Sequence, residues 1–557
     1  MTAAGIPTPA PILVGIETEY GIAIRGAASF DPVAASLLLL SHHQPAAPAG
    51  GSPSGHLAAD LMLPNGARFY LDHAHPEYAT PECRGPGDLV AADRAGERIL
   101  DRCRALIDLG GVLPAGQRLA LYKNSSDGTG NSYGCHENYL VSPATWAAVV
   151  HGEPGEASFV PFLVTRTVLC GAGKVGAENA TAPAGFQLCQ RADFFETLRG
   201  VQTTCRRPLL NQRDEPHARH HQRLHVITGD ANLAERSTWL KVGTTSLVLA
   251  LIEAGRAPSA FRLRDPLGAH RAVSRDLTLR APLELDSGWR ATALEIQRAF
   301  LAAARALVDE RPVLEALRPV LAAWDDALAC LDDDWTRLGD RLDWAIKRLL
   351  LERILARHGA TWDDVKAWWW AIDATAELSR PAELSGDVPE ARLAAAIGQP
   401  RADRVCSDMR TAGLPWAEYW RRRDLHFALR RVDLDYHEIR RTGPAPALFT
   451  RLERANAVER VIEDDEITVR VEQPPPDTRA WVRGRLVEML APHLVSVDWS
   501  AVVISHPSLG DAQPYRIELA DPFAGKSVQS EALLSSIRRR MTQAAPAAGH
   551  HLEGDHR

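Results

Sequence analysis

Two stretches of the chain alternate polar and apolar positions with the period of a β-strand. In VGIETEYG (Val14 to Gly21), Glu17 and Glu19 share one face while Ile16, Thr18 and Tyr20 take the other. In ARFYLDHAHPEY (Ala67 to Tyr78), Arg68, Tyr70 and Asp72 line one face and Phe69 and Leu71 the opposite one, with Glu77 just beyond Pro76. Carboxylates on an otherwise apolar strand are costly unless cations meet them. Two such strands side by side predict a carboxylate-lined floor. An oxygen-rich floor of this kind suits a hard divalent cation, Mg²⁺, bridging to the phosphates of a nucleotide.

The pattern elsewhere predicts an α+β fold. A helix over Pro32 to Ser41 is followed by HHQPAAPAGGSPSGH, whose Pro, Gly and Ser density predicts a flexible loop over about 41–57. That loop lies between the two acidic strands, where it is a candidate lid. A helix over Asp88 to Leu109, the strand RLALYKN, a turn-rich loop and the strand HENYLVS come next. QRLHVITGDANLAE then predicts a strand, a Gly-Asp turn and a helix through Ile252. Helical periodicity dominates from Ala291 to His358. Four segments result: a catalytic domain over 1–358, a helical insertion over 359–425, the rest of the core with a small C-terminal domain over 426–543, and a disordered tail over 544–557. The insertion holds Trp362, Trp368, Trp369, Trp370, Trp416 and Trp420 of the chain's fourteen tryptophans. Such a stretch reads first as helices burying their own tryptophans, and second as a docking surface for an additional partner.

Composition narrows the function. Sixty-three basic and seventy acidic residues leave a net charge of -7, which argues against binding nucleic acid through its phosphates. No apolar stretch reaches membrane-spanning length and no leader pattern opens the chain, so a cytoplasmic protein without membrane contact is expected. The eight cysteines form no CxxC pairs and read as reduced thiols. Cys135, beside His136, reads as a small apolar filler.

Glu17, Glu19, Glu77, Glu137 and His225, all on or beside predicted strands, are the candidate metal and nucleotide ligands. Asp72, on the face of Arg68 and Tyr70, is the candidate nucleophile or general base. Arg213, Lys241, Arg479 and Arg483 supply cations for phosphates or for an acidic peptide. The last two are four apart in a segment that Pro474 to Asp477 would start as a helix, so both can face one ligand. GAGKVG (Gly171 to Gly176) lacks the ending and spacing of a Walker loop.

Taken together, GIETEYG, NGARFYLDHAHPEYATPEC, NSYGCHENY, RDEPHA, RLHVITGDANLAE, LKVGT and PPPDTRAWVRG resemble the family of Pup ligase and Pup deamidase/depupylase. The resemblance runs from about residue 12 to about 535, interrupted by 359–425. It implies a glutamine-synthetase-like catalytic domain, in which a curved antiparallel sheet cradles ATP and Mg²⁺, and a small C-terminal domain. Position by position, Glu17, Tyr70 and Glu77 match the family's magnesium-site residues. Arg68, Thr80 and Trp499 match its ATP contacts, and Asp72 matches its catalytic aspartate. The implied partners are a Pup-like protein modifier and pupylated proteins. DHAHPEY, GFQLCQRAD and GDANLAE resemble the deamidase/depupylase branch, which hydrolyses the modifier's C-terminal glutamine amide and the isopeptide bond to substrate lysines. GNSYGCHENY, CGAGKV, LDWAIKR and LADPF are closer to the ligase branch, and the segment from Gly21 to Asn65 is shorter than the depupylases' inserted loop. The expectation is a deamidase/depupylase, with the ligase as the alternative. A small-molecule carboxylate-amine ligase or an inactive partner-binding paralogue is the second alternative.

Overall fold

The computed structural model describes residues 13–43, 47–48, 59–374, 390–413, 415–443, 445–506 and 514–543. Most of the candidate lid and all of the tail lie outside these residues. At the centre is an eight-stranded antiparallel sheet. Its main strands are β1 (Leu13–Glu19), β2 (Asp60–Met62), β3 (Arg68–Asp72), β4 (His75–Ala79), β5 (Cys135–Val141) and β6 (Gln222–Val226). They run across the sheet in the order β6-β5-β1-β4-β3-β2, ending at the short strand Ala47–Pro48, and Cys83–Arg84 adds to β1 beyond β4.

Register fixes which side chains meet. On β1, Glu17 pairs with His136 of β5 and Ala79 of β4, and Glu19 pairs with Glu77. Glu77 in turn pairs with Tyr70, and Asp72 with His75. On the far side, His225 pairs with Asn138. Paired residues share a face, so these groups form one continuous polar floor. The reverse face is apolar, with Ile16, Phe69, Tyr78, Cys135, Tyr139 and Val226 nearly sealed from water.

Helices α1 (Pro86–Leu109) and α2 (Glu235–Glu253) cover that reverse face. Pro86 opens α1 after Gly85, whose φ of 114° suits glycine. Gly96 lets α1 approach Tyr78 on the sheet, because a Cβ there would lie 2.4 Å from the Tyr78 ring. From Ser237 to Ile252, α2 is buried throughout, which explains its lack of a polar stripe. Helices α3 (Ala293–Glu310) and α4 (Arg318–Asp333) pack on its outer side. Among the described residues no helix is long and apolar enough to cross a membrane.

The Trp-rich region forms helices Trp362–Ala374, Glu390–Ile397 and Gln399–Ala412, leading into α5 (Trp416–His437). Trp368, Leu393, Val405, Met409, Tyr419 and Trp420 make a small core of their own. Trp362 leans instead on Phe186, and the Trp369 and Trp370 side chains lie outside the described set. The expected boundary at 425 falls inside α5, whose Leu425 and Leu429 already belong to the main core. A final unit comprises α6 (Ala480–Leu490), a three-stranded sheet over Leu494–Val497, Ala501–Ile504 and Tyr515–Glu518, and the helix Val528–Gln543. It has a separate apolar core around Leu486, Val502 and Ile504.

Candidate active site

Two donor groups stand side by side on the polar floor. Glu19, Asp72 and Glu77 bring their carboxylates within 4.8 Å of one another, and Glu17, His136 and His225 form a second group of the same span. The Gly134 N–H donates to Glu19 Oε1 at 3.0 Å, and His75 Nδ1 lies 3.4 Å from Oε2. A Cβ on Gly134 would sit 2.4 Å from His136 Nε2 and 2.8 Å from Glu19 Oε1, so both groups depend on this glycine.

The electrostatics fit divalent cations. Burial pushes the Glu77 carboxyl well above the usual range, and the Glu17 and Glu19 charges push the same way. A cation between Glu19 and Glu77 would let both ionise together, and their oxygens suit Mg²⁺, with Asp72 beside them at the rim. Burial also opposes charge on Glu17, but a hydrogen bond from His136 and the charge of Arg223 outweigh it and hold its pKa low. His225 is held neutral, first by burial and then by the nearby Arg223 and Arg213, against Glu17. Its Nδ1 lies 3.0 Å from Asn138 Oδ1, which leaves Nε2 as the atom that would coordinate a cation. The buried His136 Nε2 has no hydrogen-bond partner among the described residues. This mixed nitrogen and oxygen set accepts a wider range of divalent cations than the first.

Asp72 ends β3 at the rim of the floor, with its side chain 38% exposed and 3.0 Å from His73 Nδ1. The tight turn to β4 puts His73 at a φ of 53°. Tyr70 is hydrogen-bonded to Glu77, and burial raises its phenol well above the ordinary value, so it stays protonated. Thr80 and Trp499 line a cavity that continues the floor past Glu17, and the Thr80 hydroxyl accepts from Ile16 N–H at 3.0 Å. Arg68 shares the floor but is engaged with Asp60 at 2.6 and 2.8 Å and lies over the Tyr70 ring. Arg213 sits at the edge, 3.6 Å from Glu215.

Glu137, Lys241 and Arg483 lie off the floor, while Arg479 lines the cavity beside Thr80 and Trp499. Glu137 faces the reverse side of β5, fully buried, where Arg166 grips it at 2.6 and 2.8 Å and the Tyr139 hydroxyl donates at 2.6 Å. Lys241, on α2, donates from beneath the sheet to Asp230 O and Asn232 Oδ1 at 2.7 and 2.9 Å. Arg479 and Arg483 both bind Glu82 and are themselves buried, which ties the C-terminal unit to the sheet, and Arg479 also lines the cavity. Helix α6 starts at Ala480, not at the prolines.

Sequence reasoning passed over His136, Asn138 and Arg223, which alternate on β5 and β6. It also passed over Arg191 and Arg207. Among the described residues neither makes an ion pair, and Arg191 Nη2 has no hydrogen-bond partner. Burial lowers the pKa of both; the nearby Glu19 is the chief opposing charge on Arg191, and Arg191 itself lowers Arg207 to about 10. Arg191 donates to the Ile227 and Gly229 carbonyls and Arg207 to the Thr203 and Ser132 carbonyls, so both guanidiniums are held largely by backbone.

The sequence profile of the family described as Pup-ligase protein matches residues 12–375 and 416–503. The chain belongs to this family. Within the Pup ligase family, a depupylase of Acidothermus cellulolyticus is 35% identical, with the alignment covering 96% of this chain and 99% of the relative. Pup–protein ligase 1 of Rhodococcus erythropolis is 34% identical over 94% and 99%. The Pup ligase PafA solved in complex with Pup matches with a TM-score of 0.72 at 30% identity, covering 96% of this chain and 94% of that one. Solved in complex with ADP, PafA gives 0.66 at 30% identity over 86% and 91%. The family match skips residues 376–415, inside the Trp-rich region.

Proposed function

We propose that this protein is an ATP- and Mg²⁺-dependent deamidase and depupylase, acting on the C-terminal glutamine amide of a Pup-like modifier and on its isopeptide bond to substrate lysines. The reading is carried by Asp72, an accessible carboxylate at the rim of the floor, beside the Glu19 and Glu77 carboxylates. The direction rests on the relative named depupylase, aligned end to end with this chain. A nucleotide fits the cavity running from Thr80 and Trp499 to Glu17, as ADP binds the ligase relative. Glu19, Glu77 and Glu17, with His136 and His225, would hold Mg²⁺, which supplies charge neutralisation between carboxylates and phosphates.

In the hydrolytic step Asp72 attacks the side-chain carbonyl of the modifier's last residue, and the bond to ammonia or to the lysine amine breaks as the nitrogen takes a proton. Water then cleaves the anhydride and restores both carboxylates. The eight cysteines, all free thiols, fit a reducing cytoplasm. The second reading, ligation through a glutamyl phosphate, is favoured by the 34% identity to a ligase and would use Asp72 as base toward the lysine amine. Asp72→Asn should abolish turnover and leave Mg²⁺-ATP affinity within about threefold, whereas Glu17→Gln should weaken that affinity at least about tenfold. Calorimetry of both variants checks this; lost nucleotide binding in Asp72→Asn would make Asp72 a structural residue.

A further inference from the structure

Asp72 and Glu19 stand at the ends of different strands, Asp72 on β3 and Glu19 on β1, with β4 between them. Two histidines follow Asp72 in DHAHPEY. His73 lies 3.0 Å from the Asp72 carboxylate with its side chain 64% exposed, and a surface pair of this kind fixes little. His75 is 26% exposed, its backbone pairs with Asp72 across the turn, and its Nδ1 faces Glu19 Oε2 at 3.4 Å. His75 therefore meets both strand ends.

The chain around His75 fixes the direction in which its side chain leaves the strand. His75 precedes Pro76, and the residue before a proline is confined to extended backbone. The Ser36 hydroxyl donates to the Ala74 carbonyl at 3.0 Å, and the Tyr20 N–H donates to the Pro76 carbonyl at 3.0 Å. The backbone is thus pinned on either side of His75. Its ring rests on Tyr133, with the two centroids 4.5 Å apart and the planes 34° from parallel.

Tyr133 is itself immobilised. It is buried, and its hydroxyl donates to Asn124 Oδ1 at 2.5 Å. Burial raises the phenol well above its ordinary value, so it remains a donor. Gly21, which closes the GIETEYG string, makes room for this bond: a Cβ there would lie 2.6 Å from the Tyr133 hydroxyl and 3.1 Å from Asn124 Oδ1. The next residue, Gly134, donates its N–H to the other oxygen of the same carboxylate, Glu19 Oε1. Tyr133 and Gly134 together therefore reach both oxygens of Glu19, one directly and one through His75.

We propose that His75, seated on Tyr133, is a positioning residue that locks the Asp72 turn to Glu19, so that the reacting carboxylate and the metal-binding carboxylate keep one fixed separation. The inference rests on the reading of Asp72 as the reacting group. The test is steady-state kinetics of the full-length protein with Mg²⁺-ATP and a Pup-like modifier ending in glutamine, beside a thermal melt and a calorimetric titration with Mn²⁺ alone. His75→Ala should lower kcat at least about a hundredfold and leave the KM for the modifier within about threefold. It should also weaken Mn²⁺ binding at least about tenfold, because the Glu19 carboxylate is no longer held. His75→Asn, whose amide nitrogen can stand where Nδ1 stands, should recover at least about tenfold of the lost kcat; a merely structural role would follow the melting temperature and not the donor. Tyr133→Leu keeps His75 but removes its seat, should lower kcat at least about tenfold, and carries the test where His75→Ala does not fold. Unchanged kcat in folded His75→Ala, or a loss that His75→Asn does not relieve, overturns the positioning role. Turnover retained in Asp72→Asn would instead overturn the reading of Asp72. Should the unaltered protein leave the modifier intact, the proposed activity fails, and unchanged Mn²⁺ affinity in His75→Ala would still overturn its hold on Glu19.

Discussion

Glu137 and His136 are neighbours in sequence with opposite fates. His136 faces the floor beside Glu17, and Glu137 faces the core, where Arg166 holds it. Removing one partner of a buried ion pair leaves the other charge uncompensated, so Glu137→Gln should destabilise the fold by about 3–5 kcal/mol. Chemical denaturation checks this, and a folded variant should keep its metal affinity. A variant of unaltered stability with weakened metal binding would return Glu137 to the floor. The segment CHENY carries polar groups on both faces, so alternation alone does not say which set is the site. A finer signal was present: Cys135 and Tyr139, both apolar, flank Glu137 at the period of two and mark its face as the inner one. Glu17, Glu19, Tyr70, Asp72 and Glu77 were legible because their strands carry acids against a plainly apolar reverse face. Arg191 and Arg207 were not, because a lone arginine in a sequence does not reveal that no carboxylate will meet it.

At the scale of elements, the floor depends on how β1 sits between β4 and β5. The strands, the helix at 32–41 and the later helices could be read from periodicity, but which strand neighbours which is set by the fold. The chain leaves Tyr133 and Gly134 and enters β5 directly behind Glu19, and the Gly134 N–H orients that carboxylate. Gly134→Ala would force a Cβ into both donor groups. It should lower catalytic turnover at least about a hundredfold with little loss of overall stability, read from steady-state kinetics alongside a thermal melt. Normal turnover would show that Glu19 is positioned by other means. The Arg68 side chain reaches Asp60 on β2, a pairing that only the three-dimensional neighbour relation of β2 and β3 reveals.

At the scale of the whole molecule, Glu82 ties the C-terminal unit to the sheet through Arg479 and Arg483, and Trp499 of that unit completes the cavity. Its pKa is depressed from 4.5 to about 2, against burial, by those two arginines. A depressed carboxylate stabilises the fold above its unfolded pKa and loses that contribution as pH falls toward the folded one. The clamp should therefore weaken between pH 4.5 and 2 by about 3 kcal/mol in total. Limited proteolysis across that window should release the C-terminal unit first, and Glu82→Gln should lack that step. A unit still resistant at pH 2 would contradict the clamp.

Hydrolase and ligase differ in the direction of chemistry at Asp72. The most direct test is mass spectrometry of the purified protein with Mg²⁺-ATP and, in turn, a Pup-like modifier ending in glutamine, the same modifier ending in glutamate, and a pupylated substrate. Conversion of the glutamine form to the glutamate form, with release of free substrate from the conjugate, is the predicted result. New isopeptide products from the glutamate form, with ATP consumed in proportion and the glutamine form untouched, would contradict it and make the protein a ligase.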